Sequence, residues 1–311
     1  MIGLIAEAVA PIAWVLGVGI ALKRFASLDD GLWRGLEWLS YWVLMPSLLI
    51  AAIIQAPHIE VPWGALLGAL YGTLLLLTVG LIFVWKLNAL GESYARFTSV
   101  YQGVIRFNTF ISLAVMAGLR PDLLPHLAIA AACIIVVINI ACVSVMTAVA
   151  DERLVKKVAL ELSRNPLILA CLIGGLGRVL GVPPGFPISG LALVGQAALP
   201  MGVLVLGAGL QWAAIRSGWK LTVTSAVAQL FVKPAVFIGL ATVVGLNMEW
   251  TLVGLLLMAV STAPSSYILA KQLGGDAALM AGIVASQTLV SILTLPMVLW
   301  AASQLGWIPL S

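Results

Sequence analysis

The chain has 311 residues, of which 62% are hydrophobic and 9% charged, with a net charge of +4. Soluble domains are about 25% charged, so an ordinary water-soluble fold is excluded. The positive excess sits mainly in short loops between apolar runs, which gives no basis for nucleic-acid binding.

Apolar runs long enough to cross a bilayer recur along the whole chain. They predict ten spans, at 4–22, 35–55, 62–86, 97–118, 123–148, 165–181, 188–211, 218–245, 250–272 and 277–302. The runs are continuous rather than alternating, which excludes a transmembrane barrel and predicts an all-α integral membrane protein. No Lys or Arg precedes the first run, so a cleavable signal is not expected. Glu7, near the start of the first span, is an acid inside a span.

The fourth span contains "SVYQGVIRFNTFISLAVMAG", with Arg106, Asn108, Thr109 and Ser112 in its middle third. An arginine at a membrane helix centre costs about 2.5–3.5 kcal/mol on insertion scales. Arg keeps its proton, so Arg106 needs an anion, a carbonyl cluster or water. Two readings stay open. Arg106 pairs with Glu7 or with the carbonyl ends of a broken helix, or it faces a cavity and receives an anionic substrate. A guanidinium matches a carboxylate bidentately, and Asn108 with free backbone N–H groups would complete that clamp.

Further along, Cys133, Cys142 and Cys171 fall inside spans without metal-type spacing and read as small apolar packing residues. Asn165-Pro166 reads as an N-cap followed by a proline at the first helical position. In the eighth span Lys233, beside Pro234, snorkels, caps a broken helix or attracts anions.

The ninth span reads "LLLMAVSTAPSSYILAKQLGGD". Pro264 lacks an N–H, which strips the Val260 carbonyl of its usual partner. Ser261, Thr262, Ser265 and Ser266 either bond back to a simple kink or line an unwound crossover. Gly274 and Asp276 read as a C-terminal glycine and the N-cap of the tenth span. Gln287 and Thr288 there, with Asn139 in the fifth, are candidate cation ligands or interhelical hydrogen-bonding groups. No carboxylate sits at the middle of a span, which argues against a cation pathway.

The two halves repeat. Pro11 and Pro166 are 155 apart, as are Gly19 and Gly174, while Trp63 and Trp219 differ by 156. "VLMPSLLI" and "AALPMGVL" set Pro46 and Pro200 154 apart, and "RPD" and "GGD" do the same for Asp122 and Asp276. A near-constant offset predicts duplication: 1–148, a connector at 149–164, and 165–311. Five spans per half is an odd number, so the second copy enters from the opposite side. That inverted layout is common in secondary transporters, whose sites lie at the repeat interface.

Charge placement orients the chain. Lys23, Arg24, Arg34, Lys86, Arg96, Arg153, Lys156, Lys157, Arg164, Arg216, Lys220 and Lys271 fall on one side, and only Arg120 and Arg178 on the other. The positive side is cytoplasmic. A multi-pass protein of the cell (inner) membrane is expected, with both termini outside or periplasmic and the 149–164 loop in the cytoplasm. Trp33, Trp63, Trp85, Trp212, Trp219, Trp250 and Trp300 sit near span ends, as an interfacial belt would.

"NPLILACLIGG", "ALPMGVLVLGAGL" and above all "APSSYILAKQLGGDAALMAGIVASQTLVSILTLP" (263–296) resemble the auxin efflux carrier family of permeases, over essentially the whole chain. That family includes plant auxin exporters and bacterial malonate-transporter-like proteins. The resemblance implies a bile-acid/sodium symporter-like fold: ten helices in two inverted five-helix repeats, with crossing broken helices 4 and 9. It implies a scaffold of helices 1, 2, 6 and 7, a transport domain of helices 3–5 and 8–10, elevator motion and a homodimer. The crossover residues map to Asn108 and to Pro264, Ser265 and Ser266. The sequence departs from the pattern in lacking a proline at the fourth-span crossover and in carrying Tyr267 where many relatives have asparagine.

The expected activity is therefore not enzymatic. It is secondary active or facilitative transport of a small organic anion, a carboxylate, by alternating access across the bilayer. Arg106, Asn108, Thr109, Ser112, Pro264, Ser265, Ser266 and Tyr267 are the candidate substrate residues. Lys233, Gln287, Thr288, Asn139 and Glu7 are candidate coupling or support residues. No metal or cofactor is expected, and H+ coupling, Na+ coupling and uniport stay open. The alternatives are a sodium-coupled symporter of the bile-acid type and an integral membrane enzyme.

Overall fold

In a computed structural model, which describes residues 2–26, 28–87, 93–147, 160, 163–216 and 218–309, helices occupy each predicted stretch. They are α1 (Ile2–Phe25), α2 (Asp30–Ile54), α3 (Trp63–Lys86), α4 (Tyr94–Ile105), α5 (Thr109–Leu119), α6 (Leu124–Thr147) and α7 (Pro166–Val179). There follow α8 (Ile188–Gly195), α9 (Ala198–Ala208), α10 (Trp219–Val243), α11 (Met248–Met258), α12 (Ser265–Gln272) and α13 (Ala277–Gln304). Among the described residues there is no strand. Eight helical stretches are long and apolar enough to cross a membrane, and α7 and α11 are shorter apolar helices. Outward-facing Leu75, Phe83, Leu172, Val179, Leu193 and Leu293 are all at least 60% exposed, as suits a lipid-facing surface. The expected 149–164 connector lies outside the described residues apart from positions 160, 163 and 164.

Prolines shape several helices. Before Pro46 the turn widens to π-type, with the Met45 N–H reaching the Ser40 carbonyl. Before Pro234 the Lys233 N–H reaches the Ala228 carbonyl in the same way. A proline lacks the N–H and crowds the preceding turn, and the wider turn relieves both problems. Pro200 instead follows a full interruption between α8 and α9.

Glycines set the closest approaches. At Gly19 a Cβ would lie inside the van der Waals envelope of the Leu204 carbonyl, 2.9 Å from its carbon, so α1 and α9 meet backbone to backbone. At Gly174 a Cβ would lie 3.2 Å from Ile50 Cα, which seats α7 on α2. Small residues at such crossings are the usual membrane solution, because lipid offers no hydrophobic drive for association.

Polar groups finish the helix ends. Asn165 and Asp276 are N-caps as expected, accepting from Leu167 and Ile168 and from Leu279 respectively. Gly274 takes φ +78°, a left-handed turn that a side chain would strain. Arg178 of α7 donates to the carbonyls of Ile53 (3.3 Å), Pro57 (3.1 Å) and Ala56, closing the end of α2. Arg178→Met leaves these without that donor, and thermal unfolding is expected to show a loss of about 1–3 kcal/mol.

Two ion-pair groups tie the interrupted helices to their successors. Arg96 of α4 bonds Asp276 at the head of α13 (3.2 Å). Arg120, after α5, bonds Asp122 (2.7 Å) and Glu249 at the head of α11 (2.9 Å). Asp122 first and Glu249 second hold the Arg120 pKa above its ordinary value. Of the tryptophans near span ends, Trp33 and Trp250 are buried, and Trp250 packs edge-on against a buried His126 at 5.4 Å.

Candidate functional site

Two interruptions face each other at the centre of the molecule. The first separates α4 from α5 at residues 106–108, and the second separates α11 from α12 at 259–264. Extended backbone at Arg106 (φ −74°, ψ 165°) ends α4, and Asn108 starts α5 by accepting from the Ile111 N–H at 3.3 Å. The break therefore needs no proline; an asparagine N-cap and an outside acceptor suffice. That acceptor is the Ser261 carbonyl, which takes the Asn108 N–H at 2.8 Å. Thr262 Oγ1 in turn donates to the Gln102 carbonyl at 3.2 Å.

Every backbone group freed by these breaks must find a partner at this depth. The Val260 carbonyl, orphaned by Pro264, accepts from Gln229 Nε2 at 2.6 Å. The same nitrogen donates to the Arg106 carbonyl at 3.0 Å. Lys233 Nζ donates to the carbonyls of Ile105 (3.0 Å) and Arg106 (3.2 Å) and to Gln229 Oε1 (3.2 Å). Of the open readings of Lys233, capping a broken helix is the one found. Gln287 accepts the Thr262 N–H at 2.9 Å and donates to the Gly103 carbonyl (3.0 Å) and to Ser225 Oγ (3.1 Å). Thr288 bonds the Ser261 hydroxyl at 3.4 Å. Gln287 and Thr288 thus brace the junction.

The Arg106 side chain is half-buried. Its Nη2 donates to Ser265 Oγ at 3.3 Å, at the first residue of α12, while its buried Nη1 has no partner among the described residues. The Cys142 thiol lies at hydrogen-bonding reach of the guanidinium, and Tyr41 within its electrostatic reach. Asn108 Nδ2 is likewise buried and unpartnered, on a residue 1% exposed. Both amide atoms of Gln102, one helical turn before Arg106, are in the same condition.

The expected Glu7 pair is absent: Glu7 is exposed and has no salt bridge among the described residues. Asn139 is half-buried in α6 and makes no side-chain hydrogen bond among the described residues. Ser112 is buried, its hydroxyl spent on the Asn108 (3.1 Å) and Leu256 (2.9 Å) carbonyls, so it joins α5 to α11. Ser266 is buried against Thr262 Oγ1 at 3.3 Å, Thr109 and Pro264 are half-buried, and Ser265 is exposed. Tyr267 packs beside the cluster of Val100, Leu279, Met280 and Ile283. An apolar groove of about 670 Å³ runs between α1 and α13 past Val9, Trp14, Ile292 and Trp300.

Sequence reasoning missed Gln229 and Gln102. The available signal for Gln229 was its place four residues before Lys233, one turn away on the same helix face. Among the described residues no three His, Cys, Asp or Glu side chains gather as a metal-holding set. The family model described as "Membrane transport protein" matches residues 65–299. No curated protein matches the chain.

Proposed function

Because the chain belongs to this membrane transport protein family, that of the auxin efflux carriers, we propose that it is a carrier, secondary active or facilitative, for a small carboxylate. Membership in a transport family is consistent with a non-enzymatic, multi-pass membrane protein. The observation that carries the substrate class is the buried Arg106 Nη1, charged and unpartnered, beside the junction of two broken helices.

The electrostatics support an anion. The starts of α5 and α12 bring positive helix ends to the junction, and Arg106 already touches Ser265 at the start of α12. The opposing negative end of α4 is capped by Lys233. Positive potential is therefore left over, with the Arg106 and Asn108 nitrogens as free donors. A carboxylate takes two such donors in one plane.

Several relations support ten spans in two inverted repeats. The break at 106–108, shifted by 156, falls at 262–264, inside the second break. Gly19 packs on Leu204, and Gly174 on Ile50; both members of the second pair are offset from the first by 154 or 155. The division into a scaffold of α1, α2, α7, α8 and α9 and a transport domain of the remaining helices agrees with the packing. α1 lies on α9 and α2 on α7 and α8, while α3 lies on α10 and α10 on α13. On this reading the transport domain moves as an elevator, the termini face the outside of the cell membrane and the protein forms a homodimer.

Thermal unfolding of the purified protein against a panel of mono- and dicarboxylates tests the reading. At least one carboxylate is expected to raise the unfolding temperature with the logarithm of its concentration above Kd, because a ligand of the folded state adds RT ln(1 + [L]/Kd) to stability. Neutral amides of the same acids are expected to have no effect. A panel in which amides match their acids would overturn the anion assignment.

A further inference from the structure

The capping of α4 by Lys233 raises a further question. Lys233 is 0% exposed, in the middle of α10, and no carboxylate bonds it among the described residues. Its three partners are neutral oxygens: the carbonyls of Ile105 and Arg106 and the Oε1 of Gln229, at 3.0–3.2 Å. Three acceptors around one nitrogen match the three N–H donors of an ammonium. The Gln229 amide is oriented independently, since its nitrogen is occupied by the Arg106 and Val260 carbonyls and only its oxygen can face Lys233.

A ring of carbonyl oxygens at the C-terminal end of a half-helix is how broken-helix carriers hold a sodium ion. Here the ring is filled by a cation covalently attached to the protein. Of the other side-chain oxygens at the junction, Gln102 Oε1 is without a partner among the described residues and two are committed. Gln287 Oε1 holds the Thr262 N–H, and the Thr288 hydroxyl engages Ser261.

We infer that Lys233 is a tethered counterpart of a coupling sodium ion, and that this chain binds its substrate without any need for sodium. The inference rests on the carrier reading above and deepens it. A mobile ion would tie substrate affinity to the sodium concentration, whereas an ammonium on α10 supplies its charge from within the chain. It stabilises the carbonyl end of α4 whether or not substrate is present. Gln229 is the positioning residue that completes the ring and joins it to the second break.

The test uses the full-length protein in detergent, with sodium chloride, methylammonium chloride or choline chloride at equal ionic strength. The wild type is expected to unfold at the same temperature in all three. Lys233→Ala opens the ring. The variant is expected to unfold at a lower temperature and to recover, by ~2–4 °C or more, with rising sodium or methylammonium but not with the bulkier choline. Recovery by a small cation is a readout that simple loss of packing would not give. A concentration-dependent, sodium-specific rise in the wild type would overturn the inference, as would a Lys233→Ala protein indifferent to both small cations. If Lys233→Ala yields no folded protein, the wild-type comparison decides alone. No carboxylate enters these measurements, so their failure leaves the anion site standing, and a failed carboxylate panel leaves the ring standing.

Discussion

Replacing Arg106 with alanine is expected to abolish carboxylate-induced stabilisation and carboxylate uptake while leaving the protein folded. The side chain bonds Ser265 at 3.3 Å, neighbours the Cys142 thiol and makes no ion pair among the described residues, so the fold asks little of it. The bonds that hold the break here run to the Arg106 carbonyl and N–H, which alanine keeps. What disappears is a fixed positive charge with a free nitrogen. Hydrogen bonds to charged groups contribute about 1.5–3 kcal/mol each, so losing a bidentate pair weakens binding ~10²-fold or more. Arg106→Lys should fall between, keeping the charge but not the planar fork. Titrating the unfolding temperature of both variants with the best carboxylate of the panel measures this. Wild-type affinity in Arg106→Ala would remove the guanidinium from the site.

The second large effect concerns assembly. Gly19→Leu is expected to lower the unfolding temperature by ~4–12 °C or to prevent accumulation of folded protein, since overpacking costs about 1–3 kcal/mol or more. The new Cβ would press on the Leu204 carbonyl and lie 3.2 Å from the Ala208 nitrogen. These are backbone atoms and cannot rotate away, so α1 and α9 would have to separate. Gly17 is the control: two residues away, exposed, and with nothing within 4 Å of its Cβ direction. Gly17→Leu should unfold within error of the wild type, and equal damage from both would mean that the α1–α9 contact is not the cause.

Much of this architecture was legible in the residues because membrane helices declare themselves locally. A long apolar run, a proline without an N–H and an asparagine ahead of a proline each have consequences that do not depend on distant neighbours. The orphaned Val260 carbonyl was foreseeable from Pro264 alone. Its partner was not, because Gln229 lies on another helix and its spacing from Lys233 points to Lys233 rather than to Val260. The first break was harder still: no proline marks it, and the Ser261 carbonyl that supports it lies more than 150 positions away. The same reasoning explains the residues that changed meaning. Ser112 and Ser266 looked like ligand hydroxyls, but a buried hydroxyl near free carbonyls or another hydroxyl bonds them first. Glu7 was one possible counter-ion for Arg106 as an acid within a span, yet it lies exposed on α1.

The reciprocal ion pairs have a mechanical consequence. Arg96 fastens the head of α4 to that of α13, and Glu249 fastens the head of α11 to Arg120, ahead of α6. Each interrupted helix is thereby moored at its outer end as well as at its middle, which leaves it little freedom to hinge about the gap. If such a block slides past α1 and α9, the nitrogens around Arg106 keep their mutual spacing throughout the stroke. A travelling solute would then be judged by the same template on departure and on arrival, and discrimination among solutes would be the same for import as for export.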